Sequence, residues 1–304
     1  MSTTSSATRP GRKGRGGLAR LGPLPWIGPA VLLIVLVVLW PVYEMVRTSF
    51  LKISSSGFVR GSAGFDKYTQ LFEEPSLPSV IVSTVVWTVV VVTATMVISL
   101  ALAQLFNQKF PGRRLTRWAL IAPWAASVVM TAIGFKWMLN QTAGVLNTLM
   151  TDLGLIDGPQ DWLGDPSTAW PWMMFVAVFV SLPFTTYTLL AGLQTVPEEI
   201  YEAAKVDGTT TWQTYLKITL PLLRPALLVG MVINLINVFN SFPIIWSMTH
   251  GGPDSDTATT TVFMYQLKNS DIGQSAAMSV VNFALVVVMV VVFLKASRWN
   301  QEEN

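Results

Sequence analysis

Six stretches of this chain run for about twenty residues with few charges, and that spacing leaves very few folds open. They are Trp26–Val46, Ser79–Phe106, Leu115–Leu139, Trp170–Leu193, Leu222–Met248 and Gln274–Leu294. A helix crosses the hydrocarbon core of a bilayer in about 20 apolar residues. Inside lipid each backbone N–H and C=O must find its partner within the protein, which selects helices over irregular chain. Charged residues make up 12% of the sequence and mean hydropathy is +0.50, against about a quarter charged in a soluble domain. The expected fold is therefore an all-α membrane protein with six transmembrane helices. Its parts read as a disordered basic tail (1–25), a first span (26–46), a loop (47–78), a membrane core (79–294) and a short tail (295–304). The first span follows a basic prelude but has no small-residue cleavage site, so it reads as a retained anchor. Trp118 and Trp137 bracket the third span, and Lys136 would snorkel to an interface at its far end.

The basic residues set an orientation. Short cytoplasmic loops collect Lys and Arg because moving them across the membrane is costly. The N-terminal segment, the loop with Lys109, Arg113, Arg114 and Arg117, the loop with Lys205, Lys217 and Arg224, and the C-terminal segment hold fourteen of the twenty. The loop after the third span is purely acidic, with Asp152, Asp157, Asp161 and Asp165. Both termini are thus expected in the cytoplasm. A net charge of +3 spread over membrane flanks suits this better than a nucleic-acid face.

Several chemistries lack their residues. There are no cysteines and a single histidine, His250, so a metal site is not expected. No G-x-x-x-x-G-K-[ST] segment occurs that could cradle nucleotide phosphates. The middle thirds of the spans carry no Asp, Glu, Lys or Arg, the usual parts of a proton or ion relay. No catalytic residue and no cofactor on this chain are expected.

The loop 196–221 is built differently from a simple connection. Glu198 and Glu199 favour the positive end of a helix, Ala203 and Ala204 are strong helix formers with little bulk, and Gly208 can end the helix at positive φ. Thr210 and Gln213 have capping-box spacing for a second helix, which Pro221 would separate from the fifth span. Such a hairpin suits a docking partner.

Glu202, Ala203, Ala204, Asp207, Gly208, Ile218, Leu220 and Pro221, followed by Pro225, resemble the EAA loop of permease subunits in binding-protein-dependent ATP-binding-cassette importers. Thr209 departs from the alanine that often follows the glycine, and Tyr215 from a frequent phenylalanine. The resemblance implies a type I importer transmembrane domain in a bacterial cytoplasmic membrane, with the loop as coupling helix in a groove of a separate ATPase. It also implies the partners: a second homologous permease, two ATPase subunits that hold ATP and Mg, an extracytoplasmic solute-binding protein and membrane lipid, with no nucleic acid.

Thr249-x-Gly251-Gly252-Pro253, then Thr259-Thr260-Thr261 and Tyr265, are similar to the outer loop of maltose-type sugar permeases, which implies a di- or oligosaccharide cargo. In the fifth span Asn234, Asn237 and Ser241 share a helical face with Asn240 on its flank. Neutral amides suit a neutral polyol, and they equally serve as interhelical hydrogen-bond glue. By the same resemblance Ser181, Phe184, Asn237, Asn240 and Ser241 line the substrate path. Two alternatives stay open: the same machine carrying a glycerol phosphodiester or polyamine, and an ion-coupled secondary carrier.

Overall fold

The computed structural model describes residues 24–54 and 56–302, with side chains from 27 to 295 apart from position 55. The tail expected over 1–25 lies, up to residue 23, outside the described residues. The chain divides into two compact units, residues 1–47 and 48–304.

The first unit consists of α1 (Leu24–Ile34), a π-turn over Val35–Leu39 and most of α2 (Trp40–Ser49). The π-turn has a local cause. Pro41 offers no N–H, and its ring crowds the carbonyl four residues back. The helix responds by widening, and Trp40 N–H reaches back five residues to Val35 O.

The second unit opens with a feature absent from the all-α expectation. Leu51–Ile53 (β1) and Val59–Ser62 (β2) pair antiparallel, Leu51 opposite Ser62. Beside this hairpin α3 (Asp66–Glu73) is fixed by Tyr68, whose hydroxyl lies 2.8 Å from Ser49 Oγ, and by Phe50 and Phe65 in edge contact at 5.4 Å.

The core is organised by α4 (Leu77–Asn107), a helix of 31 residues. Its inward face carries Thr84, Thr88, Thr95 and Ser99 between Trp87, Val91 and Met96, all buried. Small side chains there let neighbouring helices approach closely. Its opposite face exposes Val82, Val85, Val89 and Val97, apolar surface that water would penalise at about 25 cal/mol per Å² and lipid would not.

The third span departs from expectation. α5 (Arg113–Ala125) and α6 (Val128–Met138) are bent by 96° at Ala126–Ser127 rather than forming one straight helix. Pro123 weakens the end of α5 by removing a donor, and Ala126 and Ser127 take extended backbone. Lys136 accordingly does not snorkel from the end of a straight helix. Its Nζ donates to Ser247 O at 3.1 Å.

After α7 (Val145–Asp152) the acidic loop folds around Asn147, whose Oδ1 accepts from Trp162 Nε1 at 2.9 Å and from Gln160 N at 3.1 Å. Asp165 caps α8 (Pro166–Leu193) by accepting from Ser167 N, and hydrogen bonding from the Ser167 side chain, then from its backbone N–H, holds the carboxyl below the usual range. The connection to the fifth span holds α9 (Glu198–Val206), α10 (Thr211–Thr214) and α11 (Leu220–Leu222). The fifth span itself is α12 (Arg224–Phe239) followed by α13 (Phe242–Met248), with a break at Asn240–Ser241. Pro243, unable to donate to Phe239, explains the break. Finally α14 (Thr260–Ser270) and α15 (Ile272–Glu302) close the bundle.

Among the described residues five helices, with the bent pair as a sixth span, are long and apolar enough to cross a membrane. Across the second, fourth and fifth spans 39–50% of the apolar window is buried, against 17% for the last. The bundle thus sits around α4, α8 and α12. At one crossing α8 and α12 come so close that a Cβ on Gly192 would lie 2.5 Å from Ala226 Cβ.

Candidate functional site: an uncharged cavity and an exposed hairpin

The break in the fifth span creates the site. Ser181, Phe184, Asn237, Asn240 and Ser241, expected to line one path, all border a single cavity of about 340 Å³. Ser181 and Phe184 come from α8, and Asn237 and Asn240 from the end of α12. Asn237 and Asn240 are exposed to this space, whereas Asn234 is buried, with its Nδ2 unpartnered. Asn240 Nδ2 donates to Ile236 O at 3.0 Å and Ser241 Oγ to Val238 O at 2.7 Å. Both side chains therefore satisfy carbonyls at the frayed end of α12 and keep capacity for another partner.

Sequence reasoning missed Trp124, Thr185, Ile233 and Pro243 in the same wall. Trp124, two residues before the α5–α6 bend, is 60% exposed and lines the cavity together with Phe184. The bend itself had a signal in Pro123 and Ser127. None of the thirteen lining residues is charged. The cavity thus offers amides, hydroxyls and aromatic faces, the groups that pair with hydroxyls and stack on pyranose-like rings.

The hairpin 196–221 forms as expected at Thr210, whose hydroxyl accepts from Gln213 N while Gln213 Oε1 accepts from Thr210 N at 3.0 Å. Gly208 has φ +70° and ends α9 after Asp207. Pro197 is the N-cap of α9. One detail differs. Pro221 does not separate the second helix from the fifth span; it follows a π-turn over Tyr215–Thr219, and the separation comes at Leu223. As at Pro41, the π-turn ends two residues before the proline.

The two alanines part company. Ala204 is 4% exposed and packed inward, while Glu202, Ala203, Asp207 and Gly208 face outward. Of the remaining hairpin positions, Ile218 and Leu220 are half-buried and Pro221 is exposed. Val206 and Trp212, on either side of Gly208 in the chain, are 89% and 68% exposed. This apolar pair was not singled out from sequence. Beneath the hairpin burial pushes the Tyr215 phenol above its ordinary range.

The Thr249–Pro253 and Thr259–Thr261 motifs serve the framework. Gly251 has φ +82°, and its N–H donates to Thr249 Oγ1 at 3.2 Å. Thr260 N donates to Thr84 Oγ1 on α4 at 2.8 Å, and Asn282 Nδ2 on α15 donates to Thr260 O at 3.1 Å. His250 packs edge-on against Trp246 at 4.9 Å, and burial, then Lys136, lowers its pKa.

Residues 95–299 match the family model for the binding-protein-dependent transport system inner membrane component. This chain belongs to that family. A probable ABC transporter permease protein of Brucella suis is 36% identical over 90% of this chain and 96% of its own length. The sulfoquinovosyl glycerol transport system permease protein SmoG of Agrobacterium fabrum is 33% identical over 90% of this chain and 89% of its own length. The trehalose/maltose transport system permease protein MalF of Thermococcus litoralis is 33% identical over 72% and 74%. Among solved structures, a bacterial ABC transporter involved in the import of the acidic polysaccharide alginate superposes with a TM-score of 0.80. That likeness, at 21% identity over 92% of this chain and 96% of the other, shows a shared fold. The family's members are permeases, and this one is a multi-pass membrane protein.

Proposed function

We propose that this chain is the permease subunit of a sugar importer in a bacterial cytoplasmic membrane, and that a neutral di- or oligosaccharide passes along its cavity. The observation that carries the reading is the cavity wall: five path residues, on α8, the end of α12 and the break that follows it, converge on one space with no charge in its lining. The permeases SmoG and MalF, named for sulfoquinovosyl glycerol and for trehalose/maltose transport, support a sugar cargo; its neutrality rests on the cavity lining.

Energy enters through the hairpin. Both termini and the 196–221 hairpin lie in the cytoplasm, where Val206, Ala203 and Trp212 seat in a groove of an ATPase subunit that holds ATP and Mg. Closure of two such subunits pulls α9, and the capping box with the inward-packed Ala204 passes that displacement to α12. Gly192 against Ala226 gives α8 and α12 a close, inflexible crossing, so the helices bearing the cavity residues move together. A second homologous permease completes the path, and an extracytoplasmic binding protein delivers the sugar. The chain itself performs no hydrolysis.

The test is ATP-driven uptake by the assembled transporter in proteoliposomes, with labelled maltose and trehalose set against a uronic-acid oligosaccharide of similar size. Preference for the neutral sugars is expected. Preference for the acidic one would overturn the cargo assignment.

A further inference from the structure

The loop between α4 and α5 closes on a hollow of about 500 Å³ that none of the transport steps uses. Its wall holds Arg113, Arg114 and Arg117 with Phe110 and Gly112, and Lys109 lies in the same loop. Arg117 is anchored by donating to Phe106 O at 2.8 Å, yet the Nε atoms of Arg113 and Arg117 are buried without a hydrogen-bond partner. Among the described residues the ion pairs join Arg47 to Glu44, Lys52 to Asp66 and Lys67 to Asp271; none reaches this cluster. Arg113 and Arg114 also open α5, where the helix dipole is positive and cations are disfavoured.

A topological preference for basic residues explains why arginines occupy this loop. It does not require three of them to share one hollow with buried N–H groups left unpaired. Guanidinium groups in this arrangement match a phosphate, which accepts several charge-assisted bonds at once. The neighbouring surface narrows the source. Leu115 and Trp118 on the same helix are 75% and 67% exposed, so the basic hollow borders an apolar strip with an indole, as at a headgroup boundary.

We infer that this hollow binds the phosphate headgroup of an anionic membrane phospholipid, with acyl chains along Leu115 and Trp118. A free phosphate would satisfy the arginines and leave the apolar strip unused.

Native mass spectrometry of the full chain in detergent tests this, with dioleoyl phosphatidylglycerol, dioleoyl phosphatidylcholine and inorganic phosphate as probes. Phosphatidylglycerol should be retained in preference to phosphatidylcholine. The double change Arg113→Gln with Arg114→Gln should weaken it about thirtyfold, while Arg113→Lys with Arg114→Lys, which keeps the charge but not the planar fork, should weaken it less. Arg117 is left in place because it anchors the loop. Equal retention of the two lipids by the unaltered chain would overturn the inference, whether or not the glutamine variant folds. So would an unchanged affinity in that variant, or displacement of phosphatidylglycerol by inorganic phosphate at matched concentration.

Discussion

Trp87 Nε1, in the middle of α4, donates a hydrogen bond of 3.0 Å to the carbonyl of Val238, two residues before the break in the fifth span. The acceptor is available because the chain turns away at Asn240–Ser241 instead of continuing the helix. A fully buried side chain of the second span thereby holds the rim of the cavity in place, and the ring also packs 5.6 Å from Trp170. Trp87→Phe keeps most of the packing and leaves that carbonyl with Ser241 alone. It should cost about 0.5–1.5 kcal/mol, read as a lowered melting temperature of the purified chain, and Trp87→Ala about 3–5 kcal/mol.

The opposite orientations of Ala203 and Ala204 can be read directly, because the chain has no cysteine to interfere. Ala203→Cys should react quickly with a maleimide and cross-link to the ATPase subunit in the assembled transporter. Ala204→Cys, at a position 4% exposed, should react slowly. Equal labelling of the two would contradict the packing of α9.

Gly208 has open space where a Cβ would stand but a φ of +70°, so backbone strain rather than collision decides what it tolerates. Asn and Asp accept left-handed backbone and β-branched residues do not. Gly208→Val should therefore abolish most ATP-coupled uptake while receptor binding persists, and Gly208→Asn should lose far less. Identical losses from both would point to the side chain instead.

The start of α15 is tied to α3 by Lys67 and Asp271, 2.5 Å apart. Burial pushes the Asp271 carboxyl up, and the bond from Lys67 with backbone N–H groups of Gln274 and Gly273 outweighs it, leaving the pKa below 3.8. A depressed acid contributes stability above its unfolded value and loses it as pH falls through the folded one. The melting-temperature gap between the unaltered chain and Asp271→Asn should hold steady well above pH 3.8 and close below it.

Much of this architecture was legible from residues because bilayer thickness fixes helix length. The second span was read as Ser79–Phe106 and runs Leu77–Asn107. The fourth begins four residues early, at Pro166, since its opening turn is set by the Asp165 cap and not by hydrophobicity. The capping box at Thr210 and the stop at Gly208 were equally readable, being local backbone chemistry. The 96° bend was not. Summed hydropathy is blind to direction, so Leu115–Leu139 looked like one rod, and Trp124 could not be assigned to the cavity. Ala203 and Ala204 are likewise indistinguishable in composition; only the packing of α9 separates them. Asn237 and Asn240 were assigned to the path through the resemblance to sugar permeases, whereas the opening between them and Phe184 depends on the Pro243 break.

The central claim is that nucleotide-driven movement of the hairpin opens the uncharged cavity to solute. Its most direct test is accumulation of labelled maltose in proteoliposomes holding the assembled transporter and binding protein, with and without enclosed ATP. We expect accumulation only with ATP, lost in Asn237→Leu while ATP hydrolysis continues. Accumulation by this chain alone under an ion gradient, or unchanged uptake in Asn237→Leu, would contradict the account.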